Sequence, residues 1–335
     1  MSAWRKRPRR CAVVLAGFLF VSGTWTHVAF ADTILRVGKA FPGVFDFTPI
    51  DVGMAEGIYV RHHVDIQQSD FNGSAKLQQA LAADAIDVGL GSGPELAFVE
   101  RGAPVKGVAA FMGPPADLVL FARNQPSVEL LSDLKGKRVS VSTVGSLTAW
   151  LAQEFARKQG WGTNGMDIVA LGAPSAQISA LRDKQADAMV TDLVKGTVFE
   201  QQGLGQIMVY FADVAPDFVT HVIYARNSFI NNHPDALRDF LAAWFESIGY
   251  MRQHKSETVA IATKVMHQPD DIVARTYDAT MPAFSDTGRF EPKALTILRR
   301  SFVEMGLLPT APDMSKLYTE KFLPRSGSKV AGRAD

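Results

Sequence analysis

Five short segments of this chain carry the residue types that can hold a small anion without a side-chain cation. They are Phe41-Pro42-Gly43-Val44-Phe45, Phe71-Asn72-Gly73-Ser74, Gly91-Ser92-Gly93-Pro94, Val144-Gly145-Ser146-Leu147-Thr148 and Ala173-Pro174-Ser175-Ala176. Glycine lets a ligand come close to the backbone, and a serine or threonine hydroxyl sits beside the unpaired N–H groups of a first helical turn. Such helix starts carry roughly half a positive charge and hold anionic groups well. Any one of the five, taken alone, reads better as an ordinary helix cap; five expected at the same end of a sheet favour a ligand site. Asp192 and His221 could reach the same region, although Asp192 reads equally as the cap of the turn at Lys195, and a lone histidine is more often structural.

Other chemistry is poorly supported by the spacing. Gly89-x-Gly91-x-Gly93 follows a strand but lacks the third-glycine spacing of a dinucleotide loop, and Pro94 comes at once. His62 and His63 are adjacent and cannot share a metal as residues on one helix face do. No nucleophile has an evident base and orienter, no two carboxylates stand at meaningful spacing, and no phosphate loop is present. No cofactor and no metal is expected, while the missing triad weighs little against an enzyme because such groups are assembled from distant positions.

The elements that must position these loops alternate. Short apolar runs at Leu35–Ala40, Val64–Gln68, Ile86–Leu90, Val105–Phe111, Arg138–Thr143, Asp167–Leu171 and Ala188–Thr191 read as strands. Helical stretches at Thr48–Gly57, Ser74–Ala83, Pro94–Arg101, Leu147–Gln159 and Ser175–Lys184 lie between them, the pattern of βαβ units. Open sheets of this kind bind ligands beyond the carboxyl ends of their strands, where the five loops fall. Further helices are expected at Asp235–His254, Ser256–Met266, Pro269–Met281, Pro292–Met305 and Met314–Lys321. In the first of these, Leu237, Phe240, Leu241, Trp244, Phe245, Ile248 and Met251 form one apolar stripe, read as core.

One phrase occurs twice. Residues 73–91 and 174–192 align with a one-residue gap, Ser74 with Ser175, Leu77 with Ile178, Leu81 with Leu181 and Asp87 with Asp187. Two copies of a helix-then-strand unit predict two similar lobes and a cleft between them. A second echo, Phe121-Ala122-Arg123-Asn124 against Tyr224-Ala225-Arg226-Asn227, is expected to mark the chain's two crossings between the lobes; the plainer reading is two ordinary buried strands that end alike.

Residues 1–31 read as a leader, with a basic start, an apolar core from Cys11 to Gly23, and Ala29-Phe30-Ala31 as a cleavage site before Asp32. Removing its five cations leaves 30 Lys plus Arg against 34 Asp plus Glu, a formal charge of −4, which argues against nucleic acid as partner. Cys11 is the only cysteine, so residues 32–335 hold neither disulfide nor thiol. From Arg325 on the composition is that of a disordered tail.

Phe47 to Tyr59, the Gly73-Ser74 helix leading to Ala85-Ile86-Asp87-Val88-Gly89, Asp133-Leu134-Lys135-Gly136-Lys137-Arg138-Val139 and Gly145-Ser146 occur in an order that resembles a known family. It is the family of periplasmic substrate-binding proteins of ABC importers for nitrate, sulfonates and taurine, which also includes binders of thiamine-pyrimidine precursors. The resemblance runs from about Leu35 to Phe322. It implies an α/β, bilobed type II periplasmic-binding-protein fold with two hinge crossovers. Lobe 1 would hold residues 32–120 and 222–324, and lobe 2 residues 121–221. It implies a monomer exported to the periplasm, with an ABC permease and ATPase subunits as partners. The ligand-binding residues carried over are Phe41, Pro42, Gly43, Phe45, Asn72, Gly73, Ser74, Ser92, Gly93, Gly145, Ser146, Leu147, Pro174 and Ser175. Asp51 and Val52 depart from the family's first helix. Phe41, Phe45, Phe47 and Phe71 make the expected pocket aromatic, which favours an organic sulfonate or carboxylate over an inorganic anion. The alternative is an enzyme on the same fold, of dehydratase or pyrimidine-precursor-synthase type.

Overall fold

Among the described residues ten strands form two five-stranded sheets of the same plan. In the computed structural model the described residues are Met1, 33–71, 73–124, 128–172 and 174–324; the expectations of a cleaved leader and of a disordered tail fall outside them. β1 (Thr33–Lys39), β2 (Val64–Asp70), β3 (Val88–Ser92), β4 (Val105–Met112) and β10 (His221–Arg226) make the first sheet, in the order β2-β1-β3-β10-β4. β5 (Leu118–Arg123), β6 (Arg138–Val141), β7 (Asp167–Ala170), β8 (Ala188–Asp192) and β9 (Gly205–Tyr210) make the second, in the order β7-β6-β8-β5-β9. The two orders superimpose element for element. In each sheet one strand, β10 or β5, runs antiparallel to both neighbours, and it is the strand on which the chain arrives from the other sheet.

The repeated phrase is the structural core of that plan. The helices Ser74–Ala82 and Pro174–Arg182 precede β3 and β8, and Asp87 and Asp187 stand just before those strands. The Asp87 carboxylate receives the Arg36 guanidinium at 2.8 and 3.0 Å, the Arg36 N–H at 3.0 Å, and Arg226 at 2.6 and 3.0 Å. Asp187 likewise receives Arg138, the Arg138 N–H at 3.1 Å, and Arg123 at 2.8 Å. The echoed arginines therefore staple their own sheets, and the expectation that they mark the crossings is corrected. β5 and β10 are antiparallel to their neighbours, so their first residues lie at the carboxyl ends of the parallel strands and their last residues at the opposite edge.

The crossings run through 113–117 and 215–220, which places all of β5 in the second sheet and all of β10, His221 included, in the first. They are bonded to each other. The Thr220 hydroxyl donates to the Gly113 carbonyl at 2.7 Å, and the Thr220 N–H lies 3.0 and 3.1 Å from the Gly113 and Met112 carbonyls.

Apolar side chains from both sheets join one core, and the helix Pro234–Gln253 supplies Leu237, Phe240, Leu241, Trp244, Ile248 and Met251, all fully buried. A smaller cluster of Phe121, Ala180, Leu181, Ala186 and Met189 belongs to the second sheet. The helix expected at Met314–Lys321 is only the 3₁₀ turn Met314–Lys316. Its continuation is extended because Gly107 N–H donates to the Leu317 carbonyl and Thr319 N–H to the Gly107 carbonyl, extending the sheet at β4. Among the described residues no helix is long and apolar enough to cross a membrane.

Candidate ligand site

The carboxyl ends of β3 and β8 meet the starts of β10 and β5, and that junction holds the chain's most unusual chemistry. His221 opens β10 opposite Ser92, and Leu118 opens β5 opposite Asp192. Asp117, immediately before β5, and Asp46, in the 3₁₀ turn Phe45–Phe47 that follows the first loop, join them. Asp46, Asp117 and His221 are all buried, and one ligand-capable atom of each lies within 4.8 Å of the others.

The histidine is held on every side. Its Nε2 lies 2.8 Å from Asp46 Oδ2 and its Nδ1 3.2 Å from the Gly91 carbonyl. Phe111 stacks on the ring at 5.5 Å and 12°, and Phe47 meets it edge-on at 5.2 Å. Burial dominates the titration of the three groups. It pushes Asp46 up to about 7, with a hydrogen bond from Asp117 opposing and the charge of Asp192 adding. Asp117 rises well above the carboxylate range through burial and the neighbouring Asp46, and His221 falls below the ordinary imidazole value because burial outweighs the attraction of Asp117.

Asp46 and Asp117 were missed in the sequence. Asp46 lies one residue beyond the first loop, and nothing local in Pro114-Pro115-Ala116-Asp117 distinguishes its acid. His221, expected on the second crossover itself, is instead the first residue of β10 in the first sheet. Asp192 takes the plainer of its two readings, capping the helix Leu193–Gln201, with its carboxylate 2.9 Å from Lys195 N–H and 2.5 Å from the Lys195 ammonium.

The loop residues divide. Phe41, Pro42 and Gly43 are exposed and Gly73 and Ser74 half-buried, while Asn72 lies outside the described residues. Phe45 is buried against the edges of Tyr277 at 6.1 Å and Phe284 at 6.4 Å, so it serves the core and the expectation that it lines the pocket is corrected. Phe47 is likewise buried, which leaves Phe41 and Phe71 of the expected aromatic set. Ser92 forms a capping box with the buried Glu95, whose Oε1 accepts its N–H at 2.7 Å and its hydroxyl at 3.2 Å. What approaches Gly93 is the Val219 carbonyl of the second crossover, which would lie 2.1 Å from an added Cβ.

In the second lobe Gly145, Ser146 and Leu147 are half-buried. Ser146 Oγ caps the helix Leu147–Lys158 by accepting Ala149 N–H at 3.2 Å. Gly145, at φ +74°, lies under the Met305 carbonyl of the first lobe, 2.6 Å from where a Cβ would stand. Pro174 begins its helix and Ser175 is exposed.

Polar contacts bridge the lobes on both flanks. On one, Trp150 Nε1–H donates to Glu304 at 2.7 Å and Arg300 lies 3.4 Å from Glu154. On the other, Arg275 meets Glu200 at 2.8 Å and the Tyr210 hydroxyl at 2.9 Å, and Gln201 donates to Asp271 at 3.0 Å.

A family model described as NMT1/THI5 like matches residues 44–258. Among solved structures, the alkanesulfonate-binding protein SsuA from Xanthomonas axonopodis pv. citri, bound to MOPS, is 16% identical, with a TM-score of 0.71 over 85% of this chain and 98% of that one. The ligand-binding component of an ABC-type import system from Staphylococcus aureus, with zinc bound, is 15% identical, with a TM-score of 0.73 over 87% and 97%. The periplasmic nitrate-binding protein NrtA from Synechocystis PCC 6803 is 13% identical, with a TM-score of 0.67 over 87% of each chain. These likenesses establish the periplasmic-binding-protein fold. No curated protein sequence matches at a significant level.

Proposed function

This chain belongs to the NMT1/THI5-like family, and on that premise we propose that it is the exported solute-binding component of an ABC importer, which encloses a small organic ligand between its lobes and delivers it to a membrane permease. The observation that carries the reading is the pair of matching sheets whose ligand ends meet at two short crossovers, with polar contacts between the lobes on both flanks. Such a protein closes when its ligand touches both lobes, and closure by two lobes about paired crossovers is a hinge motion.

The ligand is an organic sulfonate or carboxylate. Its anionic group lies at the serine-capped helix starts, Ser146 above all, where N–H groups and the helix dipole favour negative charge. Its body lies toward the floor, where a bare anion would face the carboxyls of Asp46, Asp117 and Asp192. Binding without catalysis is supported by the state of His221. Both of its ring nitrogens are engaged, one by Asp46 and one by Gly91, so neither is presented to a serine hydroxyl.

The test is a panel of sulfonates, carboxylates, aromatic acids and pyrimidines in a melting assay. A ligand at a hundredfold excess over its Kd stabilises the fold by about 2.7 kcal/mol. Failure of the whole panel to raise the melting temperature, with nothing carried through purification in native mass spectrometry, would sink the proposal.

A further inference from the structure

We propose that Asp46, Asp117 and His221 form a binding site for one divalent metal ion of zinc-like preference at the floor between the lobes. Three separate segments bring these groups together: the turn after β1, the first crossover and the entry to β10. Their ligand atoms all lie within 4.8 Å of one another, and all three residues are more than nine-tenths buried.

The orientation of the imidazole is that of a metal ligand. The Gly91 carbonyl is an acceptor only, so Nδ1 carries a hydrogen and Nε2 is the nitrogen that faces the carboxyl groups. Metal-bound histidines are fixed in this way, with the outer nitrogen donating to a carbonyl or carboxylate. The 2.8 Å contact between Nε2 and Asp46 Oδ2 needs one proton between them, whichever of the two carries it. That proton occupies the position a metal would take.

The carboxyl groups ask for the same occupant. Asp46 Oδ1 and Asp117 Oδ1 are buried and make no well-formed hydrogen bond, and buried carboxyl oxygens are costly to keep dry unless a cation or protons satisfy them. Two carboxylates with one divalent cation are neutral, as are two carboxylic acids without it, so the exchange carries no net charge into the interior.

The donor set selects among ions. Zinc is held by nitrogen and oxygen at about 2.0–2.2 Å, which puts tetrahedral ligands roughly 3.3 Å apart. The Asp46–His221 pair would open by about half an ångström. Calcium and magnesium demand about six or more oxygens, and an imidazole suits them poorly. Three protein ligands leave one position open. Phe47 and Phe111 pin the imidazole, so the site is rigid before the ion arrives.

The experiment is calorimetric titration of the EDTA-treated, dialysed protein with Zn²⁺, with Co²⁺ as a spectroscopic substitute. The expected result is one ion per chain, with Co²⁺ absorption of a four- or five-coordinate site. Asp46→Asn, Asp117→Asn and His221→Gln should each weaken binding by about 100-fold or more, the upper end of what losing even an outer-shell partner costs. His62→Gln serves as the control for the half-buried pair that His62 makes with Glu246 at 2.7 Å, and should leave the affinity unchanged. Circular dichroism and melting in EDTA establish which variants fold. If those variants do not, X-ray absorption on the wild-type Zn²⁺ complex decides, with one imidazole and otherwise oxygen expected. Absence of stoichiometric binding, loss with His62→Gln but not His221→Gln, or more than one imidazole on the metal would each overturn the site. No organic solute enters the titration, so a failed ligand panel and a failed metal site are separate outcomes.

Discussion

Replacing Asp187 with asparagine should remove a pH-dependent share of stability that can be worked out in advance. Arg138 and Arg123 overcome the upward push of burial and hold Asp187 at about 2, against an ordinary value of 3.8. At 1.36 kcal/mol per pKa unit the depression is worth at most about 2.4 kcal/mol, and nearer 1–2 kcal/mol once solvent around the 41%-exposed Arg138 is allowed for. The sign follows from the direction. A depressed carboxylate contributes fully above its unfolded value and loses that contribution as pH falls toward its folded value, so the window runs from about pH 5 to pH 2, with roughly half gone by pH 3. The total cost at neutral pH will be larger, because the substitution also leaves Arg123, with 9% of its side chain exposed, without its counter-charge. The diagnostic quantity is therefore the difference between wild type and Asp187→Asn across pH. Urea unfolding at pH 7, 5, 4 and 3 should show that difference shrinking by about 1 kcal/mol. A gap that stays constant between pH 7 and pH 3 would refute the assignment of this ion pair as a titrating staple.

Two further substitutions probe closure. Gly145→Ala places a side chain at φ +74° and within 2.6 Å of the Met305 carbonyl. The backbone strain alone costs about 1–2 kcal/mol, and the clash acts only when the lobes are together. The variant should melt lower and show a larger radius of gyration by small-angle scattering; unchanged scattering would mean that this contact does not limit closure. Arg275→Ala deletes the bonds to Glu200 and Tyr210. Because the guanidinium is 40% exposed, stability should change by less than about 1 kcal/mol. Amide exchange in Leu193–Gln201 and Asp270–Thr280 should nevertheless quicken, and exchange identical to wild type would remove this flank from the closing mechanism.

Much of the fold was legible because it is locally encoded. Asp87 and Asp187 follow their helices at matched distances, and the stripe from Leu237 to Met251 repeats at steps of three and four; each of these features is settled within some twenty residues of chain. The same locality explains where reading failed. Met314–Lys321 has helical composition, but its fate depends on Gly107, two hundred positions away. The Ala-Arg-Asn echo lies at the far edge of each sheet and not at the crossings, because strand direction, which decides which end of β5 and β10 adjoins the crossovers, is not written in either strand.

The site was harder for a related reason. Serines at helix starts announce themselves through neighbours in sequence, and Ser92 and Ser146 do cap their turns. Asp46 and Asp117 have no such local signal. They become chemically distinctive only when the two crossovers, bonded to each other through Thr220 and Gly113, bring residues 46, 117 and 221 into one buried volume. Burial then does what composition could not foretell, pushing both carboxyls above the ordinary carboxylate range in a protein whose described surface is otherwise rich in ordinary ion pairs. A receptor for an acidic solute with an acidic floor is coherent only if that floor is neutral when the lobes close, by shared protons or by a cation. On the proposed function, the charge state of Asp46, Asp117 and His221 would join the serine-capped helix starts in setting which solutes the closed cleft accepts.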